Sequence, residues 1–233
     1  MDDIKSWRAA QRTTLIAARL VIADADHRRW TNAIEVRLRA ALSDVRGLAI
    51  GYYMPFRGEP DLRPLLDTWR AAGAETALPV VVARGEPLEF RRWWPGAPVR
   101  KGAFSLPMPD GTPLVAPQVV LLPPVGFDAR GYRLGYGGGY FDRTLATLVP
   151  TPLKVGVAFE VSRIATIYPQ PYDIAMDYIV TEAGVYRAGG QALVRLDDGA
   201  ALVPRPGCAE LEADELRPSA SSPCYAAGFP SAD

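Results

Sequence analysis

The sequence predicts an α/β fold with helices on both faces of a mostly parallel central sheet. At least five short apolar segments, typical of buried strands, alternate with segments whose apolar residues recur every three or four positions, as on one face of a helix. The 233 residues are 48% hydrophobic and 22% charged, which is typical of a globular protein with a sizeable core. Together these observations favour a single α/β domain.

The individual elements follow from these patterns. Helices are predicted at 5–26, 27–43, 60–73 and 141–148, and strands at 47–53, 78–83, 119–122, 153–159 and 178–181. The strand at 47–53 feeds a loop and then a helix, so this unit places a loop at the carboxyl end of a strand. Open α/β sheets bind their ligands at such loops.

Composition and charge exclude several classes of function. The formal net charge is zero, which offers no electrostatic footprint for nucleic acid or an anionic membrane. No run of residues approaches the roughly 20 apolar positions that span a bilayer. We therefore expect a cytoplasmic protein that acts as a monomer on small molecules, without a nucleic-acid or membrane partner.

The C-terminal region differs in composition from the rest of the chain. From residue 188 onward Gly, Pro, Ser, Ala and acidic residues dominate, and both cysteines, Cys208 and Cys224, lie there. No disulfide framework or cysteine metal site is therefore expected in the main body. We predict an α/β domain over 1–187 and an extension over 188–233, with a short hairpin at 193–202 around Asp-Asp-Gly and then a flexible tail.

Residues 133–142, Arg-Leu-Gly-Tyr-Gly-Gly-Gly-Tyr-Phe-Asp, are predicted to bind phosphate. Four glycines in five positions let the backbone adopt positive φ and approach a ligand, and the following helix start offers unpaired N–H groups. Arg133 suits phosphate oxygens, Tyr136 and Tyr140 suit a flat ring, and Asp142 suits a cation. The spacing is neither that of a P-loop nor that of a Rossmann motif, and a glycine cluster alone would indicate only a tight turn.

This segment resembles the signature of a known family. Together with Pro-Val-Gly-Phe-Asp at 124–128 and with Gly131, it is similar to the motif of 5-formyltetrahydrofolate cyclo-ligases, also called 5,10-methenyltetrahydrofolate synthetases. A looser resemblance runs from about residue 5 to about residue 183. It implies a three-layer α/β/α fold and the ATP- and Mg²⁺-dependent conversion of 5-formyltetrahydrofolate to 5,10-methenyltetrahydrofolate, with release of ADP and phosphate.

The resemblance also implies roles for individual residues. The implied ATP-binding residues are Arg8, Arg12, Arg133, Leu134, Gly135, Tyr136, Gly137, Gly138, Gly139, Tyr140 and Phe141. The implied substrate-binding residues are Met54, Phe56, Glu59, Tyr136 and Tyr140. Arg133 and Tyr140 are expected to act in catalysis, and Asp142 and Asp173 to bind Mg²⁺.

The residues themselves allow less specific interpretations. Arg8, Arg12 and Arg19 also suit a solvated helix face, and Glu59 also suits a helix N-terminus. The chain departs from the family pattern at Arg8, Gln11, Ser105 and Met108. Two other functions therefore stay open: an ATP-dependent enzyme acting on a different small substrate, and a folate- or nucleotide-binding protein without turnover.

Overall fold

The computed structural model describes residues 2–102 and 106–203. Its α-helices are α1 (Asp2–Leu20), α2 (Asp24–Ala41), α3 (Arg63–Ala71) and α4 (Tyr140–Thr147). Its strands are β1 (Ala49–Gly51), β2 (Glu75–Val80), β3 (Glu89–Arg92), β4 (Val99–Lys101), β5 (Pro107–Pro109), β6 (Val119–Leu122), β7 (Gly126–Asp128), β8 (Arg133–Leu134), β9 (Leu153–Val157), β10 (Arg163–Ile164), β11 (Tyr178–Thr181), β12 (Gly184–Ala188) and β13 (Leu193–Arg195). None of the described helices combines the length and the apolar character that a membrane crossing requires.

The main sheet has the strand order β13-β12-β11-β9-β6-β1-β2-β3. The neighbours from β11 through β9, β6 and β1 to β2 are all parallel, whereas β3, β12 and β13 pair antiparallel at the two sides. Every residue of β6, β9 and β11 is buried, as expected for parallel strands covered on both faces. The predicted α/β fold with a mostly parallel central sheet is confirmed.

Two apolar clusters fill the space on the two faces of this sheet. Along β6, Val119 and Leu121 pack with residues of α2 and α3, whereas Val120 and Leu122 pack with Leu145 of α4. Alternate residues of a strand point to opposite faces, so one strand contributes to both clusters. Helices on both faces give the three-layer α/β/α arrangement that the sequence predicts.

A small second sheet holds the glycine-rich segment. Its strands have the order β10-β7-β8, and β8 leads directly into the glycines that precede α4. Leu15 of α1 packs on this sheet with Val125, Leu134 and Ile167. The glycine-rich loop is therefore fixed at one end by the small sheet and at the other by a helix that packs on the main sheet.

The first helix differs from the prediction in length and in its buried face. The predicted helix over 5–26 ends at Leu20, and α2 begins at Asp24. Asp24 and Asp26 lie in the first turn of α2, where acidic side chains stabilise a helix N-terminus. Arg8 and Arg19 are buried together with Leu15, so the interpretation of these arginines as a solvated face is wrong.

The C-terminal region also differs from the prediction. The hairpin predicted at 193–202 is wrong, because the observed hairpin joins β12 to β13 through the turn at 189–192, and the Asp-Asp-Gly turn follows β13. The predicted boundary at 187/188 falls within β12. Leu202 is buried in the core and donates its N–H to the carbonyl of Ala41 over 3.0 Å, so residues 188–203 belong to the same folded unit. The predicted tail at 204–233 lies outside the described residues.

Candidate active site

A cavity of about 790 Å³ lies at the carboxyl edge of the main sheet. Its lining includes Tyr53 and Met54, which follow β1, Val81, which follows β2, and Pro123, which follows β6. These three strands are parallel, so their carboxyl ends meet on one side of the sheet. The cavity therefore occupies the position where open α/β sheets bind ligands.

Most of the predicted site residues line this one cavity. They are Arg8, Arg12, Met54, Arg133, Leu134, Gly135, Tyr136, Gly137, Gly138, Gly139, Tyr140, Phe141, Asp142 and Asp173. Phe56 and Glu59 are not among its lining residues, although both approach Tyr136. The ring centroids of Phe56 and Tyr136 are 6.0 Å apart, and the Tyr136 hydroxyl lies 2.6 Å from Oε1 of Glu59.

The glycine-rich loop needs its glycines for both conformation and space. Gly137 and Gly139 have φ of 97° and 62°, in the left-handed region that side chains other than glycine rarely adopt. A Cβ atom at Gly138 would lie 2.8 Å from the ring of Tyr140. The loop thus exposes main chain to the cavity and then passes directly into α4, whose first-turn N–H groups suit an anion.

Arg12 spans the gap between α1 and this loop. Its Nε donates a hydrogen bond of 2.7 Å to the carbonyl of Gly135, and its guanidinium carbon would lie 3.2 Å from a Cβ at Gly137. Burial lowers the pKa of Arg12, and the neighbouring cation of Arg8 lowers it further. Within the described chain this one hydrogen bond uses Nε, which leaves both terminal nitrogens for a phosphate.

Arg133 and Asp142 form an ion pair in the cavity wall. Nη2 of Arg133 lies 2.8 Å from Oδ1 of Asp142, and Nη1 donates to the carbonyl of Ile174 over 2.8 Å. Asp142 Oδ1 also accepts the N–H of Ile174 over 3.1 Å. Burial lowers the pKa of Arg133, whereas the charges of Asp142 and Asp173 act in the opposite direction.

Arg8 and Asp173 form a second ion pair, with side chains only 10% and 8% exposed. Arg8 also donates to the carbonyls of Ile167 and Tyr168, each over 3.0 Å. Asp173 accepts the N–H of Gln170 over 2.7 Å. The pair therefore anchors the start of α1 to the loop before β11, in addition to lining the cavity.

Glu59 lies in a buried network behind the cavity wall. Its Oε1 accepts the hydroxyl of Tyr136, and its Oε2 accepts the N–H of Phe56 over 2.9 Å. Burial raises the pKa of Glu59 to about 7, while the hydrogen bond from Tyr136 and the charge of Arg19 oppose this rise. The structure thus brings Glu59 to the site through Tyr136, and direct contact with a substrate stays a prediction.

Sequence reasoning missed Arg19, which is buried and donates from Nη2 to the Tyr136 hydroxyl over 2.9 Å. A helical signal marks it nevertheless. Arg8, Arg12, Leu15 and Arg19 follow one another at intervals of four, three and four residues, which is the spacing of one helix face. Three arginines on the face that also carries a core leucine indicate buried, paired cations rather than a solvated surface.

The donor chemistry of the cavity suits a hard cation held jointly with a nucleotide. Within the described residues no group of three or more His, Cys, Asp and Glu side chains is arranged to bind a metal. Asp142 and Asp173 both line the cavity. The contacts of Asp142 with Arg133 and Ile174 both use Oδ1, so its Oδ2 receives no hydrogen bond from the described chain. Two carboxylates fit Mg²⁺ when phosphate and water oxygens complete the shell.

Comparison with known proteins identifies the family. A family model described as the 5-formyltetrahydrofolate cyclo-ligase family matches residues 4–182. The chain belongs to this family. A 5-formyltetrahydrofolate cyclo-ligase of Mycolicibacterium smegmatis is 33% identical over 62% of this chain and 79% of its own length. One of Escherichia coli K12 is 30% identical over 59% of this chain and 79% of its own length. The range that the family model matches spans the glycine-rich loop, Asp142 and Asp173.

Solved structures of this family share the fold. The 5,10-methenyltetrahydrofolate synthetase of Aquifex aeolicus superposes with a TM-score of 0.66 at 27% identity, covering 86% of this chain and 98% of its own. A synthetase from Mycoplasma pneumoniae superposes with a TM-score of 0.63 at 22% identity, over 75% of this chain and 98% of its own. The second likeness concerns the fold alone.

Proposed function

We propose that this protein converts 5-formyltetrahydrofolate and ATP to 5,10-methenyltetrahydrofolate, ADP and phosphate. The formyl oxygen of an amide is a poor leaving group at neutral pH. Attack of this oxygen on the γ-phosphorus of ATP releases ADP and turns the oxygen into a phosphate ester. N10 then adds to the formyl carbon, loses its proton, and expels phosphate, which closes the five-membered ring.

One observation carries this proposal: a single cavity combines a cationic, glycine-rich end with an apolar, aromatic part. The cationic end is formed by Arg12, Arg133 and the loop of residues 135–139. The apolar, aromatic part includes Met54 and Tyr136. A nucleoside triphosphate and a fused-ring substrate need these two environments side by side. Phosphoryl transfer depends mainly on alignment and charge neutralisation, so no histidine or cysteine nucleophile is required.

The ATP phosphates are assigned to the glycine-rich end. The first-turn N–H groups of α4 and the guanidinium of Arg133 stabilise the charge that shifts from the γ-phosphate to ADP. Arg12 contributes its two terminal nitrogens, and Arg8 holds the start of α1 against the cavity through its bonds to the carbonyls of Ile167 and Tyr168. Tyr140 and Phe141, at the start of α4, complete this end.

Mg²⁺ is assigned to Asp142 and Asp173, each of which would exchange its arginine partner for the cation. When bound, the ion neutralises charge on the phosphate oxygens. Arg133 and Arg8 would then be released from these carboxylates and would become available to the same phosphates. The two ion pairs therefore hold in one place the positive and negative groups that Mg–ATP needs.

The folate ring is assigned to the part of the cavity between Met54 and Tyr136. Tyr136 offers an aromatic face, and Phe56 supports it from behind at a centroid distance of 6.0 Å. Glu59 and Arg19 hold the hydroxyl of Tyr136. Tyr140 also lines the cavity and is expected to contact both ligands.

The test is whether ATP is consumed only when 5-formyltetrahydrofolate is present. We expect ADP and 5,10-methenyltetrahydrofolate to form in equal amounts, with neither formed when one substrate is omitted. Binding of 5-formyltetrahydrofolate without turnover would instead support a binding protein. ATP hydrolysis with other formylated or carboxylated compounds, but not with this folate, would support a different substrate.

A further inference from the structure

Arg19 joins three segments of the chain at the back of the Tyr136 wall. Its Nη2 donates to the Tyr136 hydroxyl over 2.9 Å, and its Nε donates to the carbonyl of Arg57 over 2.9 Å. Nη1 reaches the carbonyl of Pro124 at 3.4 Å, and Nη2 lies 3.6 Å from Oε1 of Glu59. The last turn of α1 is thereby tied to the loop after β1, to the start of the small sheet and to the glycine-rich loop.

The Tyr136 hydroxyl occupies the centre of this arrangement. It accepts a hydrogen bond from Arg19 and donates one of 2.6 Å to Glu59. The side chains of Arg19 and Glu59 are each only 2% exposed, so neither can exchange its partners for water without moving. A buried guanidinium and a buried carboxyl group therefore fix both hydrogen-bonding directions of one hydroxyl, and with it the plane and position of the ring that lines the cavity.

We propose that Arg19 is a positioning residue for the folate-binding part of the cavity and acts through Tyr136. Arg19 is not among the cavity-lining residues of the described chain, whereas Tyr136 is. Its effect on a substrate must therefore be transmitted through the side chain that it holds. The role rests on the proposed function, because that function assigns the Tyr136 wall to folate and the Arg12–Arg133 end to ATP.

Lysine is a poor substitute for Arg19. The three guanidinium nitrogens reach three acceptors on different segments, whereas an ammonium group offers a single nitrogen on a flexible stem. An Arg19→Lys variant keeps the charge beside Glu59 but cannot hold the loop carbonyl and the Tyr136 hydroxyl at once. We expect this variant to lie between the unmodified protein and Arg19→Gln in every measurement below.

A double-mutant cycle tests the network without any ligand. Urea unfolding is measured for the unmodified protein, Arg19→Gln, Tyr136→Phe and the double variant. If Arg19 and Tyr136 act as one unit, the decrease in the urea midpoint of the double variant is clearly smaller than the sum of the decreases in the two single variants. Strictly additive losses would overturn the proposal. Tyr136→Phe removes one hydroxyl and keeps the ring, so it reports on the network even where Arg19→Gln folds poorly.

Steady-state kinetics test the positioning role. For Arg19→Gln and Tyr136→Phe we expect the KM for 5-formyltetrahydrofolate to rise roughly tenfold, the lower range for losing a hydrogen bond to a charged group, with the KM for ATP changed less than about twofold. His27→Gln is the matched control. His27 Nε2 contacts the carbonyl of Gly58 at 3.1 Å, so this change disturbs the same loop without touching Tyr136.

The outcomes separate this inference from the proposed function. The inference would be overturned if the two KM values rise equally, or if His27→Gln raises the KM for 5-formyltetrahydrofolate as much as Arg19→Gln does. Either result would show that Arg19 only anchors the loop, and the proposed cyclo-ligase activity would stand. If the unmodified protein turns over no 5-formyltetrahydrofolate, the proposed function fails. The unfolding cycle then still decides whether Arg19 and Tyr136 are coupled.

Discussion

The buried carboxyl group of Glu59 should make the stability of this protein fall as pH rises. Its pKa is raised from 4.5 to about 7, mainly by burial. In acid both the folded and the unfolded chain carry the proton. Between pH 4.5 and about 7 the unfolded chain releases it while the folded chain retains it, so the unfolded state becomes relatively more favourable. Above pH 7 both are ionised and the effect no longer changes.

The size of this effect follows from the two pKa values. Each tenfold change in an ionisation equilibrium corresponds to about 1.4 kcal/mol, so a rise from 4.5 to about 7 corresponds to roughly 3 kcal/mol of unfolding free energy. Glutamine at this position cannot ionise, but its side-chain oxygen can still accept the Tyr136 hydroxyl. The free energy of unfolding of Glu59→Gln minus that of the unmodified protein should therefore increase by up to roughly 3 kcal/mol between pH 4 and pH 8.

Urea unfolding of both proteins across this pH range is the measurement. Glu86→Gln is the control for replacing a glutamate by glutamine, because Glu86 is exposed. A Glu59→Gln difference that is flat between pH 4 and pH 8 would refute the reasoning. A difference that falls with pH would show that the cation of Arg19 outweighs burial and keeps Glu59 ionised in the folded chain.

Three further predictions concern the ligands and the C-terminal region. In calorimetric titrations, Arg133→Ala should weaken ATP binding at least tenfold and change the affinity for 5-formyltetrahydrofolate less than about threefold. Equal losses of affinity for both ligands would contradict the assignment of Arg133 to phosphate. Asp142→Asn should keep the fold, because its amide oxygen can still accept the N–H of Ile174, but lose most turnover. EDTA should abolish the activity of the unmodified protein until Mg²⁺ is added, and full activity in EDTA would exclude the magnesium assignment. Ending the chain after residue 187 removes β13 and the buried Leu202, and loss of the leucine alone should lower the free energy of unfolding by about 2–5 kcal/mol. Ending the chain after residue 203 keeps every described contact. Equal stability of the two truncated proteins would contradict the packing of Leu202 in the core.

The central strands and the glycine-rich loop could be predicted from the sequence because their signals are local. The strands predicted at 119–122 and 178–181 have the same ends in the structure. Parallel strands buried on both faces appear in a sequence as short apolar runs, and few other elements have that appearance. The loop was predictable because closely spaced glycines before a helix usually serve one of two purposes. They allow a backbone conformation with positive φ, or they let the backbone approach a ligand closely.

The edge strands and the small sheet could not be predicted because their signals are weak. β4 is fully exposed, two of the three residues of β13 are exposed, only one of the four residues of β3 is buried, and β8 and β10 have two residues each. Their pairing depends on partners elsewhere in the chain, such as Arg163 of β10 opposite Phe127 of β7. Propensity and periodicity carry no information about such contacts.

The site was predicted as a set of residues but not as a set of contacts. Tyr136 and Glu59 are 77 residues apart in the sequence, and Tyr136 and Arg19 are 117 apart. A predicted role for Glu59 in binding a ring gave no indication that Tyr136 stands between Glu59 and the cavity. Likewise, the predicted metal ligands Asp142 and Asp173 gave no indication that each is held by an arginine.

Under the proposed assignment of Mg–ATP, the two arginine–aspartate pairs would make this end of the cavity select the metal–nucleotide complex over its separate components. The four side chains cancel in charge, so neither a free anion nor a free cation meets a net attraction from them. A cation bound alone to the carboxylates would leave both guanidinium groups without a counter-charge. A nucleotide bound alone to the guanidinium groups would leave both carboxylates without one. Both states are unfavourable because uncompensated buried charges are costly. On the proposed assignment, Mg–ATP would offer a partner to all four at once. The contacts that hold the wall together would then discriminate against free Mg²⁺ and against metal-free nucleotides.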